Sequence, residues 1–264
     1  MNVEILLSIM NQTNEKQIEE FTKQMKITGN VTVINQITDN SIKETIKKSG
    51  RIRIFSYKDK GLSKSRNIAL DKLESDIGVI SDDDVTYVQN YEEIIKRAYE
   101  EHPDADIIAF NVNSGNPERP IKNQKTHKVN CLSTMRIQSM QITLKKGINV
   151  AFEENFGAGS KYRFGEENIW LYDCLRTGKK IYYVNEKIGD ALQQNSTWYS
   201  KKDKDFMKCE GAVFYRISKT WYKLLILQYA IRKRKEYKDN LTVMQAIKYL
   251  WQGAKEYKKQ AMKI

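Results

Sequence analysis

Ile77-Gly78-Val79-Ile80-Ser81-Asp82-Asp83-Asp84-Val85 runs a short apolar segment straight into three consecutive carboxylates. An apolar run of this length, bounded by turn-forming residues, reads as a buried strand whose end surfaces where the acids begin. No residue adjacent in sequence supplies a compensating cation. The three charges therefore repel one another unless they are well hydrated or a divalent ion neutralises them. The stretch points to metal-assisted chemistry on a phosphorylated substrate.

On either side the chain alternates strand-like and helix-like patterns. Residues 3–10 and 31–34 read as buried strands, and between them Ile18, Phe21 and Met25 fall at helical spacing within residues 15–26. Residues 52–55 make a third strand, 63–73 a helix, 90–101 another helix and 106–111 a further strand. Residues 113–128, with prolines at 117 and 120, read as loop or hairpin. Then come a strand at 148–152, a flexible segment at 156–160, a helix at 169–176 stopped at Gly178, and a strand at 180–184. Such alternation predicts an α/β fold, a Rossmann-type nucleotide-binding domain with a mostly parallel central sheet. Past Ala191 a polar linker, Gln193 to Ser196, leads to two helical stretches, 221–231 and 241–251. In the second, Val243, Met244, Ile247, Leu250 and Trp251 form one apolar face. The expected organisation is a catalytic domain over residues 1–195 and a basic, amphipathic helical extension over 196–264.

Composition narrows the class. The chain has 264 residues, 40% hydrophobic and 30% charged, enough for a substantial core in a soluble globular protein. Its three cysteines, Cys131, Cys174 and Cys209, have neither zinc spacing nor an even count for disulfides, which suits a reducing cytoplasm. Residues 1–10 lack the basic lead and cleavage site of a secretory signal, and the run 224–227 is too short to span a bilayer. Residues 1–196 hold 28 Lys+Arg against 27 Asp+Glu, whereas residues 197–264 hold 17 against 6. Nearly all of the +12 net charge thus sits in the tail, which suggests an acidic partner there, a nucleic acid backbone or an anionic membrane surface.

In an open α/β sheet, ligands bind beyond the carboxyl ends of the strands. Four loops then converge on one crevice: Asn11-Gln12, Asn35-Gln36, Lys60 to Arg66, and Asp82 to Asp84. Amides at Asn11, Asn35 and Gln36 suit a nucleobase edge, Arg66 suits phosphate or a base edge, Lys60 suits the nucleotide sugar, and the acids suit Mg²⁺ or Mn²⁺ bridging two phosphates. A nucleoside diphosphate fits that inventory.

Gly61-Leu62-Ser63-Lys64-Ser65-Arg66-Asn67-Ile68-Ala69, followed by Asp82-Asp83-Asp84 and later by Phe164-Gly165-Glu166-Glu167, resembles the family 2 glycosyltransferases of GT-A fold. Leu171, Arg176, Gly178 and Tyr182-Tyr183-Val184 continue the likeness, which covers roughly residues 1 to 190 and leaves the tail outside. Where the family commonly has Val-Asp-Asp-Gly-Ser after the second strand, this chain has Ile34-Asn35-Gln36-Ile37-Thr38-Asp39, an amide in place of the base-reading carboxylate.

The resemblance implies a metal-dependent, inverting transfer, of hexosyltransferase type, from a nucleotide-diphosphate sugar, a UDP-sugar, to a hydroxyl of a glycan or polyprenyl-linked acceptor in surface polysaccharide or capsule synthesis. It makes Glu167 the general base and Glu166 its orienting or acceptor-binding partner. Asp82 and Asp83 contact the nucleotide sugar, and Asp84 with Asp82, or Asp83 with Asp84, holds Mn²⁺ or Mg²⁺. His102 and His127 have no ligand-spaced company and read as structural. Trp198 and Tyr199 anchor the tail or stack on a sugar. The run Arg232-Lys233-Arg234-Lys235, beside Trp221, Tyr222, Leu225 and Tyr229, suits a peripheral seat on anionic lipid at the inner face of the cell membrane. Two rival readings are a sugar nucleotidyltransferase, disfavoured by a first loop without glycine, and a nucleic-acid-binding module built on the basic tail. The second leaves residues 1–196 without a role, so no nucleic acid partner is expected.

Overall fold

Seven consecutive residues of the first strand, from Val3 to Ile9, are buried. Burial on both faces is the signature of a central strand in a parallel sheet covered by helices on each side. The computed structural model describes residues 1–113, 125–191 and 202–262. In chain order its elements are β1 Val3–Met10, α1 Glu15–Gln24, β2 Asn30–Gln36, β3 Thr45–Ser49, β4 Ile52–Tyr57, α2 Leu62–Asp71, β5 Ile77–Ser81, β6 Val85–Tyr87, α3 Tyr91–Glu101, β7 Ile107–Asn113, β8 His127–Lys128, β9 Ile142–Lys145, α4 Glu166–Arg176, β10 Ile181–Ala191, α5 Lys204–Ile217, α6 Tyr222–Arg232, α7 Arg234–Tyr237 and α8 Val243–Ala261.

The described strands form one sheet in the order β3-β4-β2-β1-β5-β9-β7-β10-β6, with β8 on β10. β4, β2, β1 and β5 run parallel, as do β7 and β10, while β9 runs antiparallel between β5 and β7. The expected mostly parallel α/β sheet is thus present. One face buries Ile5, Leu7, Ile18, Tyr91 and Ile95 beneath α1 and α3. The other buries Leu6, Ile34, Ala69, Trp170 and Leu171 beneath α2 and α4.

Several expectations change. Residues 148–152 are not a strand: the antiparallel strand of this region is β9, earlier in the chain. Residues 156–160 are not a loose segment, because Gly157 N–H donates to Tyr162 C=O and Leu62 N–H donates to Ala158 C=O. Helix α5 lay unread in the tail, and Met244 is exposed, off the packed face of α8. The linker at 193–196 and the pair Trp198 and Tyr199 lie outside the described residues, as do prolines 117 and 120.

The tail shares a core with the sheet domain. Phe156, Tyr162 and Ile169 are buried with Met207, Val213, Ile226, Leu250 and Tyr257. Helices α5 and α8 meet backbone to backbone: a Cβ on Gly211 would overlap the carbonyl of Leu250, and one on Gly253 the carbonyl of Lys208. Arg216 of α5 binds Asp173 at 2.6 Å and Glu153 at 3.1 Å, tying the tail to α4 and to the segment before Phe156.

At the other end of the strands, Glu4 is buried within β1 and accepts from Thr32 Oγ1 (2.5 Å), Arg53 Nη2 (2.6 Å) and the Glu74 and Ser75 N–H groups (both 3.0 Å). Burial alone raises such a carboxyl's pKa, but the bonds from Thr32, Ser75 and Arg53 outweigh it and hold the pKa below the usual glutamate value. Replacing Glu4 by Ala should cost about 3 kcal/mol, the low end for breaking a buried pair, because Arg53 keeps Glu74. A depressed carboxylate stabilises fully above its unfolded pKa of about 4.3 and loses that contribution as pH falls through the lower folded value. Urea denaturation should therefore show the wild-type advantage intact at neutral pH and shrinking in acid.

Candidate active site

The Gly61-to-Asn67 segment opens α2, and its side chains reach in four directions. Ser65 Oγ lies 2.8 Å from Ser8 Oγ of β1, and Ser63 Oγ donates to Phe156 C=O at 2.6 Å. Asn67 exchanges two bonds with the backbone of Phe152, at 2.7 and 3.1 Å. Arg66 is 3% exposed, with its guanidinium 5.7 Å from the Phe152 ring. Its Nη2 donates to Asp82 Oδ1 at 2.9 Å and its Nη1 to Glu166 Oε1 at 2.8 Å. One buried side chain therefore joins all three motifs read from the sequence.

Asp82 accepts a second bond from Ser139 Oγ at 3.0 Å, so each of its oxygens is engaged. Sequence reasoning missed Ser139, since a lone serine before an antiparallel strand carries no local signal of contact with the acidic turn. Asp83 is exposed and lines a hollow of about 270 Å³ against α1 with Gln12, Ile18 and Phe21. Desolvation along the wall of that hollow pushes its pKa up, as does the charge of Asp82. Asp84 is pushed further, to about 6, by burial and then by Asp82 and Asp83.

Glu166 and Glu167 open α4, where the helix dipole favours acids. Glu166 is buried. Burial and the adjacent Glu166 carboxylate hold the pKa of Glu167 well above the usual range, against the pull of Arg66. Of five buried side-chain polar atoms without a hydrogen-bond partner among the described residues, three are here: Arg66 Nε, Asp84 Oδ1 and Glu166 Oε2. Buried polar atoms are nearly always paired, so this concentration marks a place shaped for a ligand.

A divalent cation fits part of this set. Asp84 offers an unpartnered buried oxygen and an acidity weakened by burial and by its acidic neighbours, both of which a positive ion would relieve. Among the described residues no three His, Cys, Asp or Glu side chains form a complete metal cluster. Oxygens of a bound diphosphate would have to complete the coordination.

The amides shape the rim. Asn35 is buried, accepting from Gln12 N–H at 3.0 Å and donating to Gln12 C=O at 2.8 Å and to Ser56 Oγ at 3.1 Å. Gln36 Oε1 accepts from Gly61 N–H at 2.8 Å, tying the end of β2 to the start of α2. Asn11 has a positive φ of 54°, and its Oδ1 accepts from Thr38 and Asp39 N–H. Lys60 is exposed beside Gly159. The structure thus gathers Arg66, Asp82 and Glu166 in direct contact, places Glu167 and Asp84 near them by charge, and sets the amides and Lys60 around the edge.

Gly165 caps α4 with a φ of 89°, and a Cβ there would lie 2.6 Å from Val213 Cγ2 of α5. The N-terminus that carries both glutamates is therefore wedged against the tail.

The family model for glycosyl transferase family 2 matches residues 30–163. Among solved structures, the chain is similar to residues 1-349 of S. aureus TarS in complex with UDP-GlcNAc, with a TM-score of 0.60 and 14% identity, covering 91% of this chain and 74% of that one. The same TarS fragment in complex with UDP gives a TM-score of 0.58 at 13% identity, with the same coverage. The longer TarS structure gives 0.58 and 13%, over 90% of this chain and 44% of that one. No curated protein matches by sequence.

Gly165→Ala should destabilise the protein by about 3 kcal/mol, combining a left-handed backbone cost with overpacking against Val213. A double-mutant cycle with Val213→Ala, read by chemical denaturation, should recover the packing part and leave the backbone part.

Proposed function

The chain belongs to glycosyl transferase family 2, and from that we propose that it moves a sugar from a UDP-sugar to a hydroxyl of a glycan or lipid-linked acceptor in one inverting displacement. The observation that carries the reading is the pair of ion pairs through which Arg66 brings the acidic turn and the Phe164-to-Glu167 motif together. The UDP-GlcNAc and UDP of the TarS complexes support a uridine donor.

In this reading Asn11, Asn35 and Gln36 frame the base pocket, with Asp82 and Asp83 lining the nucleotide-sugar side and Lys60 reaching the diphosphate. Asp84, with Asp82 beside it, would hold Mn²⁺ or Mg²⁺. The ion, when bound, neutralises charge developing on the leaving diphosphate. Glu167 takes the acceptor hydroxyl's proton, and its raised affinity for protons suits a base working near neutral pH. Glu166 is held by Arg66 through one oxygen and keeps the other for the acceptor. Attack opposite the departing diphosphate inverts the anomeric carbon, and no covalent intermediate on the protein is needed.

Release of nucleotide from a panel of UDP- and other nucleotide sugars, with Mn²⁺ or Mg²⁺ and without, tests the reading. Failure of every donor to yield nucleotide under all conditions would sink it. Glu167→Gln should keep donor binding and lose roughly 10²- to 10⁴-fold in turnover. Wild-type turnover should climb with pH as the elevated Glu167 carboxyl gives up its proton.

Asp84→Asn should lose metal-dependent donor binding. Since the folded pKa of Asp84 is raised, its ionised form destabilises the fold above that pKa, so the neutral variant should melt roughly 2 °C or more higher in metal-free buffer at pH 7 and above. Calorimetry with and without Mn²⁺ checks both halves.

A further inference from the structure

We propose that the outer face of α6, with the basic hollow at its end, docks the protein on an anionic lipid surface. Trp221, Leu224, Leu227 and Ile231 are 65%, 57%, 45% and 70% exposed. At 100° per residue they fall in one stripe about 120° wide. Tyr222, Leu225 and Tyr229, the aromatic and leucine residues singled out in the sequence, turn inward instead. Tyr229 packs edge-on to Phe214, and Tyr222 edge-on to Tyr215 and Trp251.

Charge identifies the occupant. From Gly211 to Lys235 there is no Asp or Glu, and seven residues are Lys or Arg. Lys223 and Arg232 fall at the two edges of the stripe on the same helical wheel. Where the stripe ends at Ile231, an open hollow of about 400 Å³ is lined by Arg232, Arg234, Lys235 and Lys238. A large apolar stripe edged with cations, bearing a tryptophan at one end, is the pattern of a helix lying in a lipid headgroup layer. A second copy of the chain fits poorly, because a two-fold interface would set these cations against themselves. A nucleic acid would engage the cations and leave the apolar side chains without partners.

The test is co-sedimentation of the full chain with vesicles of phosphatidylcholine alone and of phosphatidylcholine mixed with phosphatidylglycerol. Wild type should pellet with the anionic vesicles at low salt, be released by high salt, and stay in the supernatant with neutral ones. Two variants separate the contributions: Leu224→Ser with Ile231→Ser, and Arg232→Gln with Arg234→Gln and Lys235→Gln. The second should lose roughly 100-fold in affinity, from about fivefold per cation removed. Both variants should keep wild-type Tm and nucleotide release, which separates failure of docking from failure of the catalytic reading. The proposal is overturned if wild type ignores anionic vesicles, if the variants pellet like wild type, or if light scattering shows a dimer that the Leu224/Ile231 variant dissolves.

Discussion

The buried guanidinium of Arg66 is the constraint on which the cleft depends. It arrives on α2, meets Asp82 from the end of β5 and Glu166 from the start of α4, and is shielded from water by the Phe152 ring. A buried arginine needs carboxylates to balance its charge, and sharing between two carboxylates from distant segments gives position as well as charge balance. Arg66 pairs with Asp82 and Glu166 and feels the charge of Glu167, while Asp83 and Asp84 follow Asp82 in the acidic turn. Burial first, and then the neighbouring carboxylates, make Asp84 and Glu167 hold protons more tightly than ordinary acids.

Around that centre the fold uses polar side chains as struts. Asn67, Ser63 and Gln36 spend their hydrogen bonds on backbone groups of neighbouring loops, so turns that carry no regular structure keep a fixed shape. Helix α5 extends the bracing by seating Val213 against Gly165 and Arg216 against Asp173 and Glu153. The basic tail is thus a buttress on one side and, on α6, a charged apolar surface on the other.

Much of the architecture was legible because the central strands announce themselves. Apart from Glu4, residues 3–9 and 77–80 are apolar or small, and periodic Ile18, Phe21 and Met25 mark the helix between β1 and β2. The motif residues Arg66, Asp82 and Glu166 were legible through their local patterns and the family likeness. What escaped was long-range or edge structure. β3 is largely exposed and rich in lysine, so it lacks a hydrophobic signature, and β9 is only four residues long. The reach of Ser139 to Asp82 depends on how β9 inserts between β5 and β7, which no local pattern encodes. Asn35 and Gln36 stood out in the sequence as a departure from the family pattern, and their bonds to Gln12 and Gly61 depend on the register of β1 and β2. Gly211 and Gly253 sit inside helices, where glycine is unfavourable, and the close crossing of α5 over α8, a contact between distant segments, accounts for them.

That crossing has a consequence for how the protein is made. Because Gly211 and Gly253 let the two helices interlock, part of the seat of α5 is made by α8, and α5 in turn supports the turn that presents Glu166 and Glu167. Translation delivers α8 long after the sheet has emerged from the ribosome. A nascent chain can therefore form its sheet before α5 and α8 close on one another, so that the turn at Glu166 and Glu167 is the last part of the cleft to be braced.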